Sequence, residues 1–265
     1  LEILTGKGSE ETDKQLYRFR DHGDREVGMR FDLTVPFARF AAQHVHELGL
    51  PFKRYHMATV WRGENTQRGR YREFMQCDFD TIGTTSPVAD LEMVLVVNDL
   101  LVAIGVERFT IRVNDRRVLS GILERLGLVD RATTVLRSLD KLGKLPPAGV
   151  AAELTGHGVA AEAADALIEM AALTGPTADV LARLETLVGG SETGRTGVAA
   201  LRALVAGAGQ AGVAAGRIVV DPSIARGLDY YTGIVLESFL EELPALGSIC
   251  SGGRYDNLAG LLRVE

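Results

Sequence analysis

The sequence predicts an α+β fold: an antiparallel sheet flanked by helices, with a mainly helical domain inserted into it. Three observations carry this expectation. Residues 1–114 are rich in Arg, Phe, Tyr and β-branched residues, the texture of a pleated, half-buried surface. Roughly 115–215 turn to Ala, Leu, Gly and Val at helical spacing. From 216 the aromatic, Gly-rich texture returns, so 115–215 reads as a helical insertion and 216–265 as the second part of the domain begun in 1–114. No repeat with a period of 20–50 residues is evident.

The elements follow from local patterns. Asp32 reads either as part of a polar face with Thr34 or as the N-cap of a helix over Pro36–Ala42. Lys53–Trp61 and Phe74–Ile82 read as strands joined by a polar, Gly-containing link, an antiparallel hairpin with a long loop. Pro87 sits one turn inside a helix running to about Ile104, with Ser86 as a cap candidate. Phe109–Val113 is a short strand. Asn114 or Asp115 caps the next helix, which Gly127 stops after Leu126. Leu136, Leu139 and Leu142 begin a helical stripe that Pro146-Pro147 interrupts. Gly156, Gly158, Gly175-Pro176 and Gly189-Gly190 punctuate the helices beyond. Arg217–Val220 and Tyr231–Phe239 read as strands, and Ser251-Gly252-Gly253 as a turn leading into Arg254–Leu262.

Bulk properties remove several function classes. The chain has 265 residues, of which 46% are apolar and 24% charged, so disorder is excluded for most of its length. The formal charge is −6, which does not advertise a nucleic-acid binder, although a local basic patch can hide inside that sum. Cys77 and Cys250 have no CxxC spacing, and no histidine pair has metal-ligand spacing, so the expected metal set is none and both cysteines read as reduced thiols. No apolar run reaches the ~18 residues of a membrane helix, and the expected location is the cytoplasm. The absence of an initiator Met reads as a start within a longer protein or at a processed end. No Gly-x-Ser-x-Gly and no Walker-type loop is present, so covalent hydrolase and P-loop chemistry drop out.

Five constellations can carry chemistry. Four arginines, Arg62, Arg68, Arg70 and Arg72, stand between Trp61 and Phe74 against two glutamates. Guanidinium forks match phosphate oxygens and keep their charge at any working pH, although a charged hairpin loop can equally be a solvated surface. Gln76, Asp78 and Asp80 share one strand face, where acids are expensive unless paired or facing a ligand. Asp32 and Thr34 form a carboxylate–hydroxyl pair able to receive an ammonium group. Arg226-Gly227-Leu228-Asp229-Tyr230-Tyr231 brackets a Gly-containing turn with an arginine and two phenols; the alternative is a hairpin corner with core aromatics. Gly252-Gly253-Arg254-Tyr255-Asp256 permits close backbone approach to a ligand, or is simply a turn.

Taken together, these segments resemble the histidyl-tRNA synthetases, a class II aminoacyl-tRNA synthetase family. The resemblance rests on Met29–Pro36, on the hairpin from Phe52 to Gly83, on Arg226–Gly233 and on Gly252–Asp256, four matches in the family's order. It implies a class II sheet with an insertion domain at 115–215. Arg62-Gly63-Glu64 resembles the Arg-x-Glu of class II motif 2. By that resemblance Asp32 and Thr34 hold the α-amino group of histidine, and Arg62 holds its carboxylate and the ATP α-phosphate. Glu64 contacts adenine, and Arg70 and Tyr71 lie on the loop that closes over ATP. Gln76 faces the carboxylate and amino end, and Asp80 and Tyr231 read the imidazole nitrogens with Tyr230 alongside. Arg226 lies opposite Arg62 across the α-phosphate. ATP as substrate, Mg²⁺ on its β/γ-phosphates, the tRNA for histidine and a homodimer complete the implied set. Only the tail of motif 1 is expected here, with motif 3 and an anticodon-binding domain beyond Glu265. Two alternatives remain: a non-catalytic paralogue that senses histidine or tRNA, and a sister enzyme for another amino acid.

Overall fold

A computed structural model describes residues 14–66, 68–139, 141–142, 145–224, 231–258 and 260. These residues fall into two compact units. One draws on Leu1–Ala89 and Tyr255–Glu265, the other on Asp90–Gly227 and Tyr231–Arg254.

The first unit is built around a long hairpin. Strands β1 (Arg18–Arg20) and β2 (Glu26–Gly28) form a short antiparallel pair, absent from the sequence reading, and helix α1 covers Thr34–His44. Strands β3 (Phe52–Trp61) and β4 (Glu73–Ile82) then pair antiparallel along their whole length, within one residue of the expected bounds. The register sets Arg54 opposite Asp80, His56 opposite Asp78, and Ala58 opposite Gln76. Side chains alternate along a strand, so all six stand on one face. The other face carries Tyr55, Met57, Met75 and Cys77, all exposed. Leu33, Val35, Phe37, Ala38, Val60 and Leu258 are buried and form the unit's apolar interior.

The second unit combines a four-stranded sheet with a helical stretch. Helix α2 (Pro87–Ala103) starts at Pro87 itself rather than a turn before it, and Ser86, the cap candidate, accepts from Val88 N through Oγ at 3.3 Å. Strand β5 (Phe109–Asp115) leads into helix α3 (Arg116–Leu126). Asp115 is the cap, accepting from Arg117 N at 2.9 Å, and Gly127 ends the helix at φ 67°, where a side chain would be strained. Helices α4 (Ala132–Leu139), α5 (Pro147–Gly156), α6 (Ala161–Ala172), α7 (Thr177–Val188) and α8 (Glu192–Gln210) follow. Pro147 opens α5, where its missing N–H is no loss. Strands β6 (Ile218–Val220), β7 (Ile234–Leu240) and β8 (Ser248–Gly253) complete the sheet in the order β6-β5-β7-β8.

Two expectations need correction. Ser251-Gly252-Gly253 is not a turn but the end of β8, with Gly253 opposite Val235 and Gly252 opposite Leu236. The glycines serve close approach, since a Cβ on Gly253 would lie 2.7 Å from Ile234 O and 2.9 Å from the Tyr231 ring. The strand expected from Tyr231 begins at Ile234, because 231–233 pair with the Arg254 backbone and the α3 start instead. Strand β6 pairs with β5 in parallel, whereas β5–β7 and β7–β8 are antiparallel. No helix among the described residues is long and apolar enough to cross a membrane.

Helices α3 and α8 approach so closely that a Cβ on Gly121 would lie 2.4 Å from Gly194 Cα. Ser191 and Thr193 lock the same crossing by donating to Glu124 at 2.7 and 2.9 Å. Gly121→Val therefore forces two helix backbones apart. Chemical denaturation of the full-length protein is expected to show a loss of about 1–3 kcal/mol or more; an unchanged midpoint would contradict this packing.

Candidate active site

The hairpin face of the first unit gathers most of the residues singled out above. Asp80 is 8% exposed. Its Oδ1 accepts from the Tyr255 hydroxyl at 2.6 Å, and its Oδ2 lies 2.9 Å from Arg54 Nη2. That Nη2 is aimed at the Leu33 carbonyl, also 2.9 Å away, so the arginine neutralises Oδ2 without donating to it squarely. The Arg54 guanidinium also lies over the Phe37 ring, 4.1 Å from its centroid. Burial pushes the Asp80 carboxyl above the usual range, and Tyr255 and Arg54 oppose that shift.

Beside it, Asp78 accepts from Thr34 Oγ1 at 3.3 Å. Burial and the neighbouring Asp80 charge raise its carboxyl, while a hydrogen bond from Gln76 holds it down. Gln76 Oε1 is buried with no donor. Because Thr34 gives its proton to Asp78, its oxygen faces any further partner as an acceptor.

Asp32 precedes α1, and its Oδ1 accepts from Val35 N at 3.0 Å, so the capping alternative is real. It is 6% exposed, and burial raises it to about 6. The Val35 N–H and the Arg62 charge pull the other way, and Asp78 and Asp80 push with burial. One buried aspartate thus serves the helix start and the acidic face together.

Arg62 lies where β3 runs out into the loop. Its Nε donates to the Phe31 carbonyl at 3.2 Å, and the guanidinium sits over Phe31 and Phe74, 4.6 and 5.3 Å from their centroids. Burial lowers its proton affinity; Glu64 and Asp32 restore some of it and Arg70 opposes them. Glu64 Oε1 is 3.9 Å from Arg62 Nη1, a loose pair. Arg70 is half-buried on the loop, and Tyr71 is 67% exposed.

The expected set divides as follows. Asp32, Thr34, Arg62, Gln76 and Asp80 belong to one linked network, with Glu64 and Arg70 beside Arg62. Tyr231 belongs to the second unit, its ring against Gly253. Arg226 and Tyr230 lie outside the described residues. Arg54 and Tyr255 went unassigned in the sequence. Arg54 could have been found from the hairpin register, which sets it opposite Asp80, but only a structure joins Tyr255 to Asp80.

The arrangement suits a cationic, polar ligand. Three carboxylates, a hydroxyl oxygen and an orphaned amide oxygen offer acceptors, and Arg62 stands ready for an anionic group. Among the described residues, no group of three or more His, Cys, Asp or Glu could hold a metal ion.

Comparison with known proteins now gives this chemistry a family. The family model described as "Histidyl-tRNA synthetase" matches residues 1–262. The histidine–tRNA ligase of Rhodopirellula baltica is 60% identical over 262 residues, covering 98% of this chain and 59% of that protein. That of Wolinella succinogenes is 47% identical over 260 residues, again covering 59% of the relative. A crystal structure of histidyl-tRNA synthetase from Nostoc sp. PCC 7120 superposes with a TM-score of 0.84 at 35% identity, over 98% of this chain and 59% of that one. The chain thus spans about three-fifths of these relatives' length. Its fold is the α+β fold of these synthetases, and the chain belongs to the histidyl-tRNA synthetase family.

Proposed function

We propose that the chain is the catalytic region of a histidine–tRNA ligase, which activates histidine with ATP and passes it to the 3′ end of its tRNA. The observation that carries this reading is the buried Asp80, held between Tyr255 and Arg54 on the same hairpin face as Gln76 and Asp78. A carboxylate fixed in this way accepts from one imidazole nitrogen, and Tyr231 is assigned the other. Both ring nitrogens then have partners, whereas an apolar isostere leaves buried polar groups unpaired. Asp32, the Thr34 oxygen and Gln76 Oε1 receive the α-ammonium group.

In the first step a carboxylate oxygen of histidine attacks the α-phosphorus of ATP. The new P–O bond gives histidyl-adenylate, and the bond to pyrophosphate breaks. Two anions must meet, so positioned cations matter more than any base. Arg62 binds the histidine carboxylate and the α-phosphate, and Arg226 is assigned to the opposite side by the family resemblance. Glu64, Arg70 and Tyr71 take the rest of the nucleotide. Bound with the nucleotide, Mg²⁺ would supply positive charge to offset that of the phosphates. In the second step a ribose hydroxyl at the tRNA end attacks the carbonyl carbon, and AMP leaves. The same reading makes 1–114 and 216–265 the two parts of the catalytic core, 115–215 its insertion, and the protein a cytoplasmic homodimer.

A second reading is a histidine- or tRNA-sensing paralogue. A solved structure described as an ATP phosphoribosyltransferase regulatory subunit/histidyl-tRNA synthetase from Bacillus halodurans C has a TM-score of 0.82 at 24% identity, so fold alone does not separate the two. The presence of both a nucleotide-side arginine and imidazole-side acids favours the enzyme.

The soluble full-length protein is expected to exchange pyrophosphate into ATP only when histidine is present; no exchange would leave the sensor reading. Arg226→Ala should cut that exchange by roughly 100-fold or more with the histidine KM nearly unchanged. Equal losses in both would make Arg226 a ground-state binder.

Asp32 adds a pH signature. Its folded-state value of about 6 lies above the ordinary 3.8, so the folded state holds the proton more tightly between those values. Stability contributed by this group therefore falls as pH rises through that window, with the full cost, on the order of 2–3 kcal/mol, present above it. Asp32→Asn should be more stable than the parent at pH 8 but not at pH 4, and should raise the histidine KM about tenfold. Denaturation midpoints at the two pH values test the first part; an equal gain at both would place the effect elsewhere.

A further inference from the structure

In the second unit, a second acid–base clamp joins Asp90 of α2 to Arg254, the residue after β8. Arg254 Nε donates to Asp90 Oδ1 at 3.0 Å, and its Nη2 donates to Asp90 Oδ2 at 2.9 Å. Both side chains are 14% exposed, so this is a desolvated, two-pronged pair rather than a surface contact. Asp90 lies in the first turn of α2, where the helix dipole also favours its charge. The adjacent buried acid, Asp115, has its own arginine, with Arg117 Nη2 at 2.6 Å from its Oδ2.

The Arg254 backbone grips the segment that carries Tyr231. Thr232 N donates to Arg254 O at 2.8 Å, and Arg254 N donates to Ile234 O at 2.8 Å. The Arg254 stem lies against the bare face of Gly233, where a Cβ would come within 3.0 Å of its Cδ. The preceding residue, Gly253, is the seat of the Tyr231 ring. Fixing the guanidinium head therefore fixes the stem over Gly233 and the strand end that bears the ring.

We infer that Asp90 is a positioning residue for histidine recognition, setting the Tyr231 ring through Arg254. This rests on the reading of Tyr231 as the partner of an imidazole nitrogen. On this reading Asp90 acts without touching substrate; its loss removes the paired charge from a largely buried guanidinium and frees the Gly253–Arg254 strand end to shift.

The test is steady-state pyrophosphate exchange by the full-length protein, comparing the parent with Asp90→Asn, Arg254→Lys, Tyr231→Phe and the Asp90→Asn/Tyr231→Phe pair. Asp90→Asn is expected to raise the histidine KM about tenfold while the ATP KM stays within about twofold. Arg254→Lys keeps the charge but loses the fork, and is expected to behave alike; it serves if Asp90→Asn does not fold. The double variant should be little worse than Tyr231→Phe alone, because the two act on one contact. A parallel rise in both KM values, or additive losses, would reduce the clamp to a structural role and overturn the inference. A histidine defect in Tyr231→Phe with none in Asp90→Asn or Arg254→Lys overturns it alone. An unaffected Tyr231→Phe overturns the reading of Tyr231 and the inference with it.

Discussion

A carboxylate almost out of water at Asp80 dictates the layout of the first unit. Left alone, such a group costs several kcal/mol, and a shifted proton would remove its charge. Tyr255 and Arg54 oppose that shift, and Arg54 makes further demands. Its guanidinium is aimed at the Leu33 carbonyl and lies on the Phe37 ring. Leu33 is the residue from which α1 departs, and Asp32 and Thr34 stand on either side of it. One buried charge on the hairpin therefore places the helix start, and the helix start places the residues assigned to the ammonium group.

The acids of this face outnumber its committed cations, and burial raises Asp32, Asp78 and Asp80 together. Such a face is poorly suited to stability and well suited to a cationic ligand, which relieves the mutual repulsion as it binds. Arg62 behaves as the mirror case. Its burial against two aromatic rings weakens its hold on the proton, and a phosphate or carboxylate would restore the lost charge balance. The site is held ready by interactions that are individually imperfect, as expected where function competes with stability.

Much of this was legible in the sequence. The hairpin was, because its strands alternate cleanly and its loop is marked by glycine and arginine. The cap of α3 was legible to within a residue, Asn114 or Asp115, and the contact to Arg117 N selects Asp115; the Gly127 stop was, because it has one local cause. The glycines at 252–253 misled, because Gly-Gly marks turns more often than close approach, and only the tertiary neighbours of Gly253 distinguish the two. At Asp32 the structure shows the helix-start contact, with Oδ1 accepting from Val35 N, while its pairing with Thr34 toward an ammonium group belongs to the proposed function. Arg54 and Tyr255 escaped because their importance lies in a partner, Asp80, that is distant along the chain. Sequence motifs name the residue that meets a ligand more readily than the residue that holds it in place.

The parallel pairing of β5 with β6 carries a kinetic consequence. Ile111 pairs with Ile218, and Ile111 N donates to Arg217 O at 2.8 Å. Everything between them is the helical stretch, so closing this sheet means bringing together ends roughly 100 residues apart, an entropic cost of a few kcal/mol that no local contact offsets. Helices α4 to α7 pack on near neighbours, whereas α3 crosses α8 from the far end of the stretch, with Glu124 accepting from Ser191 and Thr193. Their assembly shortens the effective loop. The α3–α8 crossing brings the two ends of the helical stretch together, so the helices act as an internal scaffold for the β5–β6 pairing.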